Sequence, residues 1–316
     1  MLARLFNNLS VQSLAASLIV SFLLIGVGVF FNDFHYTTMK LPGFTIQVAP
    51  VIFQYSSLIL IPVFSAWFNS VLISNGHLKG SHYLVPILSV CIYLFAAYSN
   101  QPAMLLATPL IIVIFQHFFA MIKATAGVLH ILFNISFLAG LLSFYFPPAL
   151  IFILLCWAAA LLFGHFNLRT FLVPVIGLFA FYFLVFSLYF FFTPFSFIEE
   201  FWNLLSLYSW RGFDWDWNSL WPFGFLLLVM LMAIAEYAKA LNYAKIQKRQ
   251  FLNFNMVLIV LGCLLAIIWK GPWASMIITA FGVSVFLSNL VQYVSRWWLK
   301  DLVYLSLILT FLFVIL

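Results

Sequence analysis

Charge is what this sequence has least of. Only 6% of its 316 residues are charged, whereas a soluble globular domain carries about 25%. The polar surface is therefore too small to cover a water-soluble globule. Because 66% of the residues are hydrophobic, most side chains must face lipid or one another. This composition predicts an integral membrane protein.

Acidic residues and the common catalytic patterns are also scarce. The chain has seven Asp and Glu against thirteen Lys and Arg, and it contains no GxGxxG, P-loop, GxSxG or HExxH pattern. No pattern therefore predicts a cofactor or a metal site. The net charge of +6 is spread over short connections, which indicates membrane topology rather than binding to nucleic acid.

Cysteine is rare as well. Cys91, Cys156 and Cys263 lie in apolar stretches, without CxxC spacing and without a neighbouring His. Neither a disulfide framework nor a zinc site is predicted. We expect three buried, unreactive thiols.

Long apolar runs fill most of the chain, and a run of roughly twenty residues crosses a bilayer. They predict an all-α polytopic integral membrane bundle of about eleven transmembrane helices, in a single membrane domain that covers residues 1–316. The predicted helices are Val11–Phe31, Ala49–Phe68, Tyr83–Tyr98, Ala103–Met121, Gly127–Phe146, Ala149–Phe163, Phe171–Phe192, Phe223–Ala240, Phe251–Trp269, Trp273–Tyr293 and Leu302 to the end.

The basic residues predict the orientation. If the N-terminus is cytoplasmic and every run crosses, only Lys40, Arg211 and Lys270 of the thirteen Lys and Arg fall outside. This split obeys the positive-inside rule. We therefore predict a bacterial inner-membrane protein with a cytoplasmic N-terminus and an external C-terminus.

The segment Thr193–Pro222 is the main polar interruption, and it holds four of the seven acidic residues. Ser196 and Glu199 have capping-box spacing, and polar residues then recur at helical intervals. We predict an amphipathic helix over Phe197–Tyr208 that lies along the outer interface, within an outer-face loop. The candidate binding residues of this loop are Glu199, Glu200, Arg211, Asp214, Trp215, Asp216 and Trp217.

An EF-hand calcium loop is excluded in this segment, and a looser divalent-metal site that begins at Asp214 stays open as an alternative. Asp214, Asp216 and Asn218 open the D-x-D-x-N pattern, but Ser219 stands where the pattern needs Gly. Phe225 stands where it needs a bidentate Glu.

Asp33, directly after the first predicted helix, is the candidate catalytic residue. This position resembles that of the carboxylate in multi-span, polyprenol-dependent glycosyltransferases. The resemblance implies a base or metal ligand beside a lipid-linked donor. The alternative is an interfacial anchor without a catalytic role.

A few polar residues and prolines interrupt the apolar runs. Gln116 with His117, and His130 with Asn134, are expected to face the bundle interior and to form hydrogen bonds between helices. Pro62, Pro86, Pro109 and Pro174 predict either ordinary kinks or broken helices that line a transport path.

The stretch Asn134–Thr170 resembles a family of uncharacterised multi-pass bacterial inner-membrane proteins. The residues that carry the resemblance are Gly140, Tyr145, Phe146, Pro147, Trp157, Phe166, Asn167 and Arg169. The basic run Lys245–Phe251 is similar too. The resemblance implies a polytopic membrane protein and no particular activity.

Three function classes follow. The first is a protein that handles or positions a lipid-linked or amphipathic partner at the outer face, and whose partners are membrane lipid, a lipid-linked substrate or another membrane protein. The second is an enzyme, a polyprenol-dependent glycosyltransferase. The third is a transporter, a flippase or a structural subunit of a membrane complex. The sequence leaves open whether the protein is an enzyme.

Overall fold

The computed structural model describes most of the chain. The described residues are 10–31, 37–41, 44–48, 50–78, 82–99, 103–124, 126–192, 245–268, 272–293, 298, 300–305 and 308. They are almost entirely helical, which confirms the predicted all-α class for this part of the chain.

The described part contains nine α-helices with defined bounds, further helical residues at 300–305, one short 3-10 helix and one β-hairpin. In chain order they are α1 (Val11–Phe31), β1 (Thr37–Leu41), β2 (Phe44–Val48), α2 (Pro50–Ser74), α3 (Leu84–Ser99), α4 (Ala103–Lys123), α5 (Val128–Ser143), the 3-10 helix (Pro147–Leu150), α6 (Ile151–Leu162), α7 (Leu168–Phe192), α8 (Ile246–Ile268) and α9 (Pro272–Tyr293).

The observed helices match the predicted ones closely where hydrophobicity sets the boundary. Two helices differ more: α2 continues to Ser74, and α8 begins at Ile246, inside the basic run. Both extensions consist of polar or mixed residues, which the apolar pattern could not assign. The predicted helix Phe223–Ala240 and the predicted interfacial helix lie outside the described residues.

The connection between α1 and α2 contains an antiparallel hairpin that the sequence reasoning missed. Its register pairs Met39 with Ile46, and Lys40 with Thr45. Apolar and polar pairs therefore alternate along the ladder, as a period of two requires. Each strand has only five residues, which is too short to stand out beside the long apolar runs.

Four helices are long and apolar enough to cross a membrane, by length and composition, among the described residues. They are Tyr55–Ser74, Leu105–Lys123, Leu168–Leu188 and Ile246–Leu265. Five shorter apolar helical stretches accompany them. Together they indicate a multi-pass helical membrane protein.

The core of the bundle is built around α3 and α4. Residues 82–94 are all buried, because α3 packs against α1, α2 and α9. Phenylalanines from five helices meet beside α4. Most of their rings contact edge to face or tilted at 4.9–6.5 Å between centroids, while Phe115 and Phe119 stack at 6.1 Å; aromatic rings favour these geometries. These residues are Phe68, Phe115, Phe118, Phe119, Phe152, Phe254 and Phe281.

Among the described helices, the α5–α7 pair has the most extensive interface. A Cβ atom at Gly140 would lie 2.9 Å from the Cβ of Phe181, so only glycine lets the two backbones approach this closely. The Ser143 and Tyr182 hydroxyls share a hydrogen bond of 2.7 Å across the same interface. Membrane helices commonly associate through such small residues and polar contacts.

The interior prolines do not break their helices. α2, α4 and α7 each continue through Pro62, Pro109 and Pro174 respectively. Pro86 lies in the first turn of α3, where a missing N–H costs least. These positions agree with the ordinary-kink interpretation, and the described helices contain no unwound segment at any of them.

Candidate functional site

The residues predicted to form a site lie outside the described residues. This holds for the candidate catalytic Asp33 and for the outer-face residues Glu199, Glu200, Arg211, Asp214, Trp215, Asp216 and Trp217. Their proposed roles therefore stay predictions. Asp301 is the one acidic residue in the described part.

The described polar groups meet instead where α2 ends. The last turn of α2 closes with a Schellman motif, in which Gly76 N–H bonds Ile73 O at 2.9 Å and His77 N–H bonds Leu72 O at 2.9 Å. Gly76 has φ of +75°, a conformation that glycine adopts at low cost. The motif turns the chain inward and places His77 against the bundle.

His77 lies between aromatic rings of two other helices. Its imidazole stacks on Phe251 of α8, with centroids 4.0 Å apart and planes 8° from parallel. It also meets the ring of Phe119 of α4, at 5.0 Å and 63°. The residue is 3% exposed, and its buried Nε2 atom has no hydrogen-bond partner. An unsatisfied buried polar atom of this kind calls for an explanation.

Two lysines approach His77 from the same two helices. Lys123, in the last turn of α4, donates a hydrogen bond to Asn75 Oδ1 at 3.2 Å. Lys248 lies in the first turn of α8. Burial, with Lys123 and Lys248 as weaker contributors, lowers the pKa of His77 to about 4. The imidazole is therefore neutral at physiological pH, beside two ammonium groups.

We call this group the His77 cluster and define it as Asn75, His77, Lys123, Lys248 and Phe251. The sequence reasoning did not identify it. Two signals were available: Asn75-Gly76-His77 reads as a helix C-cap followed by a histidine, and Lys123 and Lys248 were both predicted on the cytoplasmic side. Because the cluster joins residues from three separated segments, only tertiary contacts could assemble it.

A second polar group lies next to the cluster, at the start of α3. The Asn69 side-chain nitrogen and His82 Nδ1 are 3.1 Å apart and buried. Tyr304 Oη donates to Tyr83 O at 3.3 Å, and Lys300 Nζ lies 6.0 Å from the centre of the Tyr83 ring. Lys123, Lys248 and Lys300, all predicted on one side of the membrane, thus lie near the two ends of the same α2–α3 connection.

The predicted interior hydrogen bonds between α4 and α5 are wrong in part. Gln116 and His130 are exposed, and the contact between Asn134 and His130 lies within α5, at 3.5 Å. His117 is half-buried. Helical spacing was predictable for these residues, but the side of α4 or α5 that faces the bundle interior was not.

The prediction for the cysteines is correct for two of three. Cys91 and Cys156 are buried, whereas Cys263 lies on an exposed face of α8. An apolar run has both core-facing and outward-facing positions, so its composition could not identify the outward one. Within the described residues, no group of three or more His, Cys, Asp or Glu could hold a metal ion.

The residues that carry the family resemblance have structural roles where their contacts are described. Trp157 Nε1 donates to Phe171 O at 3.0 Å, and the two rings stack at 4.8 Å. Tyr145 Oη donates to Leu106 O at 3.1 Å. Asn167 caps α7 by accepting the Thr170 N–H at 2.9 Å. These contacts hold the α5–α6–α7 connections together and join them to α4, and they assign no chemistry.

The fold therefore defines a class, a multi-pass helical membrane protein. Comparison with family models, with curated proteins and with solved structures found no match to this chain. The family resemblance described for Asn134–Thr170 thus remains a proposal.

Proposed function

We propose that this chain is a bacterial inner-membrane protein that handles an amphipathic or lipid-linked partner, with the partner's apolar part along α7 and its polar part at the outer-face loop. Of the four long spans, α7 has the smallest share of buried residues, 17% against 39–61% for the other three. It also leads directly into Thr193–Pro222, where four carboxylates are found.

The exposed side of α7 is a continuous apolar stripe. Leu172, Ile176, Phe179, Phe183 and Phe186 are all exposed, at alternating intervals of four and three residues. Such spacing puts them on one face of a helix. The stripe covers fifteen residues, 172–186, and fourteen steps of 1.5 Å make it about 21 Å long, so it offers a polyprenyl or acyl chain an extended contact surface.

The opposite side of α7 is anchored. Phe181 is buried against Gly140 and stacks edge to face on Phe137 at 5.5 Å, and Tyr182 bonds Ser143. One side of α7 is thus packed tightly against α5, and the other side is apolar and exposed. Such a helix can bind an apolar chain along its exposed face without moving itself. This arrangement favours handling of a partner at the surface of α7 rather than transport along a path through the bundle. The described helices also continue through their prolines, so none of them is broken to line such a path.

Site-specific photocrosslinking tests this proposal. A photoreactive residue replaces Phe183, which is 73% exposed on α7, and the control replaces Val63, which is 52% exposed on α2. We expect Phe183 to capture a discrete amphipathic or lipid-linked molecule and Val63 to capture bulk phospholipid. The same phospholipid mixture at both positions would reject the proposal.

The glycosyltransferase alternative depends on Asp33 and has its own test. If the Asp33 carboxylate is catalytic, the Asp33→Asn substitution should abolish function while the protein still inserts and accumulates normally. Normal envelope glycans in such a strain would remove this alternative.

A further inference from the structure

We infer that two copies of this chain associate in the membrane through the outward side of α4 and α5. We call this surface the α4–α5 face and define it as Gln116, His117, Ala120, His130 and Asn134. It lies on other helices than the α7 stripe, so the inference does not depend on the proposed function.

The α4–α5 face presents polar side chains outside the bundle. Gln116 and His130 are exposed, and His117 and Asn134 are half-buried. Asn134 and His130, both on α5, are 3.5 Å apart, which is longer than an ordinary hydrogen bond. The Gln116 amide makes no hydrogen bond with another described residue. The two amides thus keep most of their donors and acceptors for a partner.

The α4–α5 hairpin brings these side chains together. Its short connection lies between Lys123, which ends α4, and Val128, which begins α5. Near the other end of the hairpin, Tyr145 Oη donates to Leu106 O at 3.1 Å. Both ends give the same antiparallel register, which sets His117 level with Asn134. Gln116 follows within the same turn of α4, and His130 lies one turn from Asn134.

The two amides lie below the headgroup layer. Gln116 is seven residues before the end of α4, and Asn134 is six residues after the start of α5. At 1.5 Å per residue, each is about 9–10 Å from its helix end, whereas a headgroup layer is about 5–7 Å thick. Because α4 is long and apolar enough to cross the membrane, both amides reach hydrocarbon.

The exposed stripe of α7 provides a comparison within the same bundle. All five of its side chains are apolar, as contact with lipid requires. The α4–α5 face instead exposes two amides and two imidazoles at a depth where lipid offers no hydrogen bonds. Polar side chains in a membrane commonly bond to a neighbouring helix. The α4–α5 face therefore fits a helix contact better than it fits lipid.

The chemistry of the face fits a second copy of the same chain. An amide carries both donors and acceptors, and a neutral imidazole carries one of each, so the face can satisfy its own hydrogen bonds across a two-fold axis. It contains no Lys, Arg, Asp or Glu, so it needs no opposite charge from a different partner. Ala120, one turn after Gln116, is small enough for two helices to approach closely.

Counting photobleaching steps of the labelled full-length protein in liposomes measures this association over a range of protein densities. We expect a dimer, and we expect Gln116→Leu to weaken dimerisation about three- to tenfold, as loss of a hydrogen bond between membrane helices implies. Asn134→Leu should act in the same direction. The matched control is Gln247→Leu, which replaces an exposed amide of α8 and should change dimerisation less than about twofold.

Photocrosslinking identifies the occupant of the face without removing any of its polar groups. A photoreactive residue replaces Ala120, which is exposed on α4, and the control position is Val63, which is exposed on α2. We expect Ala120 to give a product of twice the mass of the chain, in which both peptides come from this protein. Val63 should capture phospholipid.

Three results would overturn the inference. A monomer at every protein density would show that no second copy binds. Equal weakening by Gln116→Leu and Gln247→Leu would place the interface elsewhere. A product at Ala120 with a different protein, or with phospholipid alone, would assign the face to another partner or to lipid.

Discussion

Two turns of this protein share one local design and differ in what surrounds them. α2 ends at Asn75-Gly76-His77 and α6 ends at Phe163-Gly164-His165, each with a Schellman motif. Gly76 and Gly164 have φ of +75° and +77°. His77 and His165 occupy the same position, and each N–H bonds the helix carbonyl five residues earlier, at 2.9 Å.

The surroundings give the two histidines different roles. His77 is buried between two phenylalanines and beside two lysines. His165 is half-buried, and its carbonyl accepts the Thr170 hydroxyl at 2.9 Å, within the cap of the next helix. Identical local geometry thus produces a tertiary contact in one place and a local connection in the other.

The stack of Phe251 on His77 should cause the largest difference in stability between the two turns. Phe251→Ala removes a ring that is 1% exposed and stacked on His77, and we expect a loss of about 3 kcal/mol of unfolding free energy. Denaturant unfolding in detergent, followed by tryptophan fluorescence, measures it. Phe166→Ala, at a side chain 53% exposed beside His165, is the control and should stay within about 0.5 kcal/mol.

The pH dependence of the unfolding free energy should give the second-largest difference between the two turns. The pKa of His77 is about 4 in the folded protein and about 6.5 when unfolded, so the unfolded state binds more protons between these values. Stability should fall as pH decreases through this window, by about 2 kcal/mol between pH 7 and pH 5 from His77 alone.

His77→Phe is the control for this pH effect, because the variant keeps the ring but has no titrating group. The difference between wild type and variant isolates the contribution of His77. A wild-type profile that matches the variant between pH 7 and pH 5 would mean that His77 is not held neutral by its surroundings.

The glycines should show a smaller difference. Gly76→Ala and Gly164→Ala each force a residue with Cβ into the left-handed region, at a cost of about 1–2 kcal/mol. We expect Gly76→Ala to be the more destabilising, because its turn positions a buried side chain. Paired thermal unfolding in the same detergent compares them, and a greater loss for Gly164→Ala would contradict this ranking.

Removal of the Asn167 cap of α7, which follows the second turn, should have the smallest effect on the unfolding free energy. Asn167→Ala removes the acceptor of the Thr170 N–H and should cost about 0.5–1 kcal/mol. Asn167→Asp keeps an acceptor at this position and should restore most of that loss. Calorimetric or fluorescence-detected melting distinguishes the two variants, and equal losses would show that the cap contributes nothing.

The sequence alone determined the class of this protein and much of its helix pattern. Long apolar runs predicted α1 with the observed limits and most other helices within a few residues, because crossing a bilayer requires an apolar helix of a set length. A glycine that follows a helix can mark its end, but the predicted second helix ended at Phe68, before the Gly76 turn that closes α2. Exposed polar extensions, such as the start of α8 at Ile246, were not readable from hydrophobicity.

Only the tertiary structure decided which faces of those helices meet. An apolar run contains both buried and outward positions, so its composition could not show that Cys263 is exposed or that α7 is uncovered on one side. Nothing local distinguishes His77 from His165. Phe119 and Phe251, far apart in the chain, surround one histidine and not the other, because the packing of α2, α4 and α8 is a property of the whole bundle.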